Sequence, residues 1–290
     1  MPLGPKHPAD QLMDAIDAAG APVCVGLDPV VERLPTEVLK GSDAASVSRF
    51  SLGIIDAVRG IVPCMKIQAA CFERFGSDGF KALEEVMAAA KSAGLTTILD
   101  AKRGDIGISA EHYAAALFGH FSADWCTANA YLGMDGIAPF LVKGGVFALV
   151  RTSNPGSDAL QSLPFRDGGT VAEAVASLVA NTGDASIGTC GFSRLGAVVG
   201  ATKARDAAAL REIMPRQLFL VPGYGAQGGT AEDVRPCFRL DGRGAIVTAS
   251  RSVIFPTANP GEHWKSAVER AARSFAAEVR AVVSSAATLP

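Results

Sequence analysis

Short apolar or β-branched runs alternate with longer stretches of helical period along the whole chain. Eight runs read as strands: 23–28 (VCVGLD), 62–68 (VPCMKIQ), 96–102 (TTILDAK), 125–130 (WCTANA), 146–153 (VFALVRTS), 195–201 (LGAVVGA), 217–223 (QLFLVPG) and 244–251 (GAIVTASR). Gly, Pro or Asp bounds most of them. Between them apolar residues recur three to four apart, as in Val47, Phe50, Ile54, Val58 and Ile61, or Phe80, Leu83, Val86 and Ala90. That spacing is the buried stripe of an amphipathic helix. Cap chemistry agrees: Ser77 or Asp78 is expected to open one helix and Gly94 to close it, with Gly119 closing the helix that opens near Ser109. An extra helix over 8–19 precedes the first strand, and a long one from His263 to about Ser285 follows the last.

Strict alternation of strand and helix implies a parallel sheet, and eight strands favour closure on themselves. The predicted fold is therefore α/β, a (β/α)8 TIM barrel with an extra N-terminal helix. No linker, repeat or low-complexity segment divides the chain, so a single barrel domain is expected over residues 1–290.

Composition fits a large core, with 49% hydrophobic and 19% charged residues. The net charge is −2 and neither sign gathers in a tail, which gives no reason to expect nucleic acid or an anionic membrane as partner. Mean hydropathy is +0.25, yet Gly, Pro or charge interrupts each apolar run short of the roughly 18 residues that cross a bilayer. The opening MPLGPKHPADQL lacks the basic-then-apolar order of a secretory signal, so a cytoplasmic protein acting on a small molecule is expected. The six cysteines contain no CxxC pair, and reduced, buried thiols are expected. His7, His112, His120 and His263 show neither HxH nor HxxxH spacing, so no metal site is expected.

In a barrel, function collects where strands end and the following loops begin. Asp28 ends the first strand, Lys66 lies near the end of the second, Asp100 and Lys102 end the third, and Arg251 ends the eighth. A lone charge at such a position is ordinarily solvated; four strands carrying them is a pattern. Side chains alternate along a strand, so Asp100 and Lys102 share a face. Lys66, between Met65 and Ile67, needs a carboxylate partner if buried, and Asp100 is the natural one. With Asp105 in the next loop, the series Lys66, Asp100, Lys102, Asp105 alternates in sign. Flanking carboxylates favour an ammonium, whereas a Schiff-base lysine needs the free amine. Proton donation or carbanion stabilisation is the chemistry that suits this array.

The loop 221–229 (VPGYGAQGG) contains GxGxxG after a strand, but it follows the seventh strand rather than opening the chain, and no acidic residue ends a strand about 20 positions on. A phosphate held by glycine amides and Arg251, after strands seven and eight, fits better than a dinucleotide. The stretch 151–157 (RTSNPGS) offers hydroxyl and amide groups past strand five, suited equally to a ligand and to a turn.

With these residues in view, LDAKRGDIG (99–107) resembles the D-x-K-x-x-D signature of the orotidine 5'-phosphate decarboxylase family. GLDP around Asp28, MKIQAACFE around Lys66, TSNPG around Ser153, PGYGAQGG around Gln227 and ASRS around Arg251 resemble its other site segments, in the same order, over about residues 20–255. The wording is most similar to the longer-chain bacterial subgroup, type 2. The resemblance implies decarboxylation of orotidine 5'-phosphate in de novo pyrimidine biosynthesis, without a cofactor. By it, Asp28 and Lys66 would contact ribose hydroxyls, with Lys66 also fixing Asp100, and Lys102 would deliver a proton to C6 of the pyrimidine. Ser153 would bond the pyrimidine, while Gln227 and Arg251 would hold the phosphate. A homodimer would place Asp105, Ile106 and Ser109 in the partner's pocket; Ser109 stands where some relatives carry threonine. Two rivals remain at this point: a metal-dependent aldolase like the hexulose-phosphate synthases, which share D-x-K-x-x-D, and a non-catalytic phosphosugar-binding barrel.

Overall fold

The computed structural model describes residues 6–225 and 228–286. Its eight strands are β1 (Val23–Leu27), β2 (Cys64–Gln68), β3 (Thr96–Arg103), β4 (Trp125–Ala128), β5 (Gly145–Arg151), β6 (Leu195–Val199), β7 (Phe219–Val221) and β8 (Ala245–Ala249). Neighbours pair in parallel in chain order, and β8 returns to β1 to close the barrel. Helices follow the strands on the outside, among them α2 (Asp43–Val58), α3 (Gly76–Ser92), α4 (Gly107–Ala114), α5 (Val171–Gly183), α6 (Ala204–Ile213) and α7 (Trp264–Ala286), with α1 (Pro8–Ala19) preceding β1.

Two apolar clusters follow from the alternation of strand side chains. Outward residues such as Val25, Met65 and Leu99 pack against the helices. Inward residues Cys24, Cys64, Ile98, Trp125, Phe147, Leu218 and Ile246 fill the lower barrel, where Leu12, Met13 and Ile16 of α1 plug its base. Trp125 and Phe147 stack there with centroids 4.5 Å apart. Gly145 makes room for this layer, since a Cβ on it would lie 2.3 Å from the Trp125 indole. Asp10 fixes α1 by accepting the amides of Thr189 (3.1 Å) and Cys190 (2.7 Å). Burial raises that carboxyl's pKa, but these hydrogen bonds outweigh it and hold it below the usual carboxylate range. The lower half is thus a sealed core, which leaves the opposite end for chemistry.

The predicted strands are all present, mostly shorter by a residue or more at an end. The seventh stops at Val221 because Pro222 has no N–H to give and Gly223 turns at φ +98°. Two expected caps are corrected. Ser77 and Asp78 lie inside α3, which begins at Gly76 directly behind the short helix Ala70–Glu73, leaving no extended residue for a side-chain cap. Gly119 does not end its helix: α4 continues as a π turn over Ala115–His120, and the chain reverses at Ser122, φ +52°. Gly94 does close α3, at φ +78°, with the amide of Leu95 reaching the carbonyl of Ala90. All six cysteines are free thiols. No helix among the described residues is long and apolar enough to cross a membrane.

Candidate active site

The upper ends of β1, β2 and β3 bring four charges into one row. Strand register sets Gly26 beside Lys66 and Gln68 beside Asp100, and inward alternation aims Lys66, Gln68, Asp100 and Lys102 at the barrel axis. Lys66, only 6% exposed, places Nζ 2.7 Å from Oδ2 of Asp100 and 3.3 Å from Oδ1 of Asp28. Lys102 places Nζ 2.7 Å from the other Asp100 oxygen, Oδ1. Asp100, 5% exposed, therefore joins two ammonium groups. Burial alone would push Lys66 toward the neutral amine, yet Asp100 and then Asp28 outweigh it and raise its pKa. Burial would likewise protonate Asp100, but Lys66 and Lys102 hold it well below the usual carboxylate range. Lys66 and Asp100 therefore hold each other as an ion pair.

Neutral groups lock it in place. Thr127 of β4 donates Oγ1 to Oδ1 of Asp100 (2.8 Å) while accepting the backbone N–H of Lys102 (3.0 Å), and Gln68 donates Nε2 to Oδ2 of Asp100 (3.3 Å). Lys102 itself sits at φ +46°, a left-handed conformation that costs a non-glycine residue about 1–3 kcal/mol. The β3–β4 register shifts between Leu99 and Arg103, so the strain coincides with a bulge that re-aims the lysine. Unlike Lys66, the Lys102 side chain keeps 48% of its surface exposed. It faces a cavity of about 480 Å³.

That cavity is divided by polarity. Asp28, Lys66, Asp100 and Lys102 form one wall, and Leu149, Val198 and Leu220 of β5 to β7 contribute apolar side chains. Thr152, Ser153, Asn154 and Gln161 supply hydroxyl and amide groups, while Gly223, Tyr224 and Arg251 line it after β7 and β8. Gly223, Gly225 and Gly228 all have positive φ, so each glycine of the GxGxxG spelling takes a backbone conformation that favours glycine. The buried hydroxyls of Thr248 and Ser250, also on the wall, have no hydrogen-bond partner among the described residues. Buried polar groups are nearly always paired, so these two are set for a ligand or water.

Of the residues singled out from the sequence, Asp28, Lys66, Asp100, Lys102, Ser153 and Arg251 come together here. Asp105, Ile106 and Ser109 do not line this cavity; Asp105 turns its Oδ1 to the amide of Ile106 (2.9 Å). Gln227 lies outside the described residues. The contiguous series is consequently Asp28, Lys66, Asp100, Lys102, with Asp105 apart from it. Gln68, Thr127, Thr248 and Ser250 were missed. Ser250 lies inside the ASRS segment beside Arg251, and counting by two reaches Gln68 from Lys66 and Thr248 from Ser250; Thr127 carried no such signal. Among the described residues, no group of three or more His, Cys, Asp or Glu is placed to hold a metal ion.

The family model for orotidine 5'-phosphate decarboxylase / HUMPS proteins matches residues 21–267. The orotidine 5'-phosphate decarboxylase of Rhodopirellula baltica is 42% identical over 289 residues, covering 91% of this chain and 95% of that protein. The Clostridium novyi enzyme of the same name is 38% identical, covering 84% of this chain and 88% of its own. The solved structure of Leishmania donovani OMP decarboxylase superposes with a TM-score of 0.79 at 32% identity, covering 96% of this chain and 98% of that one. Sequence and architecture agree over the same span, and the chain belongs to the orotidine 5'-phosphate decarboxylase / HUMPS family.

Proposed function

We propose that this protein is an orotidine 5'-phosphate decarboxylase, converting orotidine 5'-phosphate (OMP) to UMP and CO₂ in de novo pyrimidine biosynthesis, in the cytoplasm and without a cofactor. What carries the assignment is the placement of Lys102, an ammonium 2.7 Å from a deeply buried carboxylate at the edge of a partly apolar cavity. The C6 carboxylate of the substrate would sit beside Asp100. As the C6–CO₂ bond breaks, its electron pair stays on C6, and a proton from Nζ of Lys102 forms the new C–H bond. The neutral amine left behind regains its proton from solvent. Lys66 and Asp28 would hold the ribose hydroxyls, Ser153 the pyrimidine, and Gln227 with Arg251 the phosphate.

Magnitudes show that the lysine does not act alone. An ammonium about 4 Å from the carbanion contributes about 4 kcal/mol at an effective dielectric near 20, whereas enzymes lower barriers by roughly 8–23 kcal/mol. Binding of phosphate and ribose must supply the remainder, by holding the substrate carboxylate against Asp100 and excluding water.

Asp105, Ile106 and Ser109 would complete the site of a second copy. In support, Ile106, Ile108, Tyr131 and Leu132 are all exposed. The Asp105 carbonyl packs so closely on Gly136 that a Cβ there would meet it at 2.8 Å, which brings the two loops carrying these residues together. An exposed apolar patch around a carboxylate suits a dimer interface.

A metal-dependent aldolase would need the same strand-end carboxylates for its ion, and here Lys66 already bridges Asp28 and Asp100. EDTA-treated protein should therefore consume OMP, read as loss of its absorbance, and sediment at about twice the chain mass. Activity that disappears with EDTA and returns with Mg²⁺ would overturn the assignment.

A further inference from the structure

Arg151 ends β5 and is 3% exposed, yet it lies outside the cavity lining. Its five N–H groups meet five acceptors. Nε reaches Oδ2 of Asp206 (2.6 Å), Nη1 reaches Oγ of Ser157 (3.0 Å) and Oε1 of Gln161 (3.4 Å), and Nη2 reaches Oδ1 of Asp158 (2.5 Å) and Oγ of Ser162 (3.0 Å). Four of these acceptors lie on residues 157–162, the far side of the excursion that begins with the cavity-lining Thr152, Ser153 and Asn154. The guanidinium thus pins both ends of the turn that carries them. Gln161 tightens it further, accepting the amide of Thr152 (2.8 Å) and donating Nε2 to its hydroxyl (3.0 Å).

The loop after β6 closes on the same turn from the other side. Gly200 donates its amide to the Arg151 carbonyl (2.8 Å), Thr202 donates Oγ1 to the Ser153 carbonyl (3.2 Å), and Lys203 pairs with Asp158 (2.7 Å). A Cβ on Gly200 would lie 2.8 Å from that of Ser153, so only glycine lets the loop approach this closely. A guanidinium is expensive to desolvate. A barrel that needed only a filled strand end would be served by an apolar residue, whereas donors fixed in this fork hold a specific loop geometry.

We propose that Arg151 is a positioning residue for substrate recognition: it fixes the 152–154 turn so that the Ser153 hydroxyl meets the heterocycle in one orientation. The identity of that heterocycle rests on the functional assignment above. Pre-organisation of this kind lowers the ordering cost of binding, so it acts on KM more than on kcat.

The test is a double-mutant cycle with an exchange measurement. Asp158 and Asp206 are 55% and 44% exposed, so they can hydrate when the guanidinium is removed, and Arg151→Met is expected to fold. KM for OMP should rise about tenfold in Arg151→Met with kcat changed less than about threefold, and by less than about threefold further when Ser153→Ala is already present. Backbone amides of 152–161 should exchange at least about tenfold faster in Arg151→Met, while those of β3 match wild type. An equal KM effect in both backgrounds, or unchanged exchange in 152–161, would overturn the proposal. Should Arg151→Met not fold, Asp206→Ala keeps the guanidinium, removes one of its acceptors, and is expected to give the same pattern at about threefold. Wild-type protein inert toward OMP would remove the functional assignment, and the exchange measurement would still decide whether Arg151 orders the turn.

Discussion

Lys102→Ala is expected to lower kcat for OMP by at least about a thousandfold, since it removes both a proton donor, typically worth 10²–10⁴, and about 4 kcal/mol of charge stabilisation. UMP binding should stay within about tenfold of wild type, because the product carries no developing charge at C6 for the ammonium to meet. The fold should persist as well. Asp100 would keep Lys66, Thr127 and Gln68 as partners, so no buried charge is left uncompensated. Single-turnover decay of OMP absorbance together with a UMP titration separates the two effects. More than a tenth of wild-type kcat in the variant would exclude Lys102 as the donor.

Asp100→Asn strikes the fold and the chemistry together. Lys66 would retain Asp28 alone, 3.3 Å away, and two ammonium groups would converge on a neutral amide. Breaking a buried pair in this way typically costs about 3–5 kcal/mol, and activity should fall with the misplaced Lys102. A pH signature distinguishes this from ordinary core damage. Because the folded-state pKa of Asp100 is depressed, its contribution to stability is present above its unfolded value, about 3.9, and is lost as pH falls below that toward the folded value. The Lys66 pKa is raised, so its contribution is complete below its unfolded value, about 10.4, and is lost only as pH rises beyond that toward the folded value. Urea unfolding at pH 7 and pH 3 should therefore show a large acid loss in wild type and a smaller one in Asp100→Asn. Equal acid losses in the two proteins would refute the shared-anion account.

The barrel was legible because its physics is periodic. Apolar runs of strand length alternate with stripes such as Val47, Phe50, Ile54 and Val58, all buried on α2, and that repetition survives errors at individual ends. Caps were less legible: whether Ser77 caps a helix depends on Ser77 itself being extended, and the helix Ala70–Glu73 just before it lets α3 begin already at Gly76. Half of the site could be read from charges at strand ends, since desolvation makes Lys66 inside an apolar strand conspicuous. Thr127 could not, because a threonine in a strand is unremarkable until the β3 bulge lowers the Lys102 amide onto it. Charge alternation along the sequence suggested that Asp105 continues the series, whereas the resemblance assigned it to a partner's pocket. Past the bulge the chain leaves the barrel axis, with Gly104 packed on Asn129 and the Asp105 carbonyl on Gly136, so proximity in sequence does not become contact. Arg151 read as part of a polar turn, and the five acceptors that give it meaning come from the excursion after β5 and from α6.

The central claim is that Lys102, aimed by Asp100, stabilises a carbanion at C6 and protonates it. By microscopic reversibility the same groups must remove that proton from the product, so the most direct measurement is exchange of the UMP C6 hydrogen in D₂O, followed by proton NMR. Wild-type protein should deuterate that position well above the solvent background, and Lys102→Ala should not. Decarboxylation of OMP with no exchange into UMP, or exchange at the wild-type rate in Lys102→Ala, would contradict it.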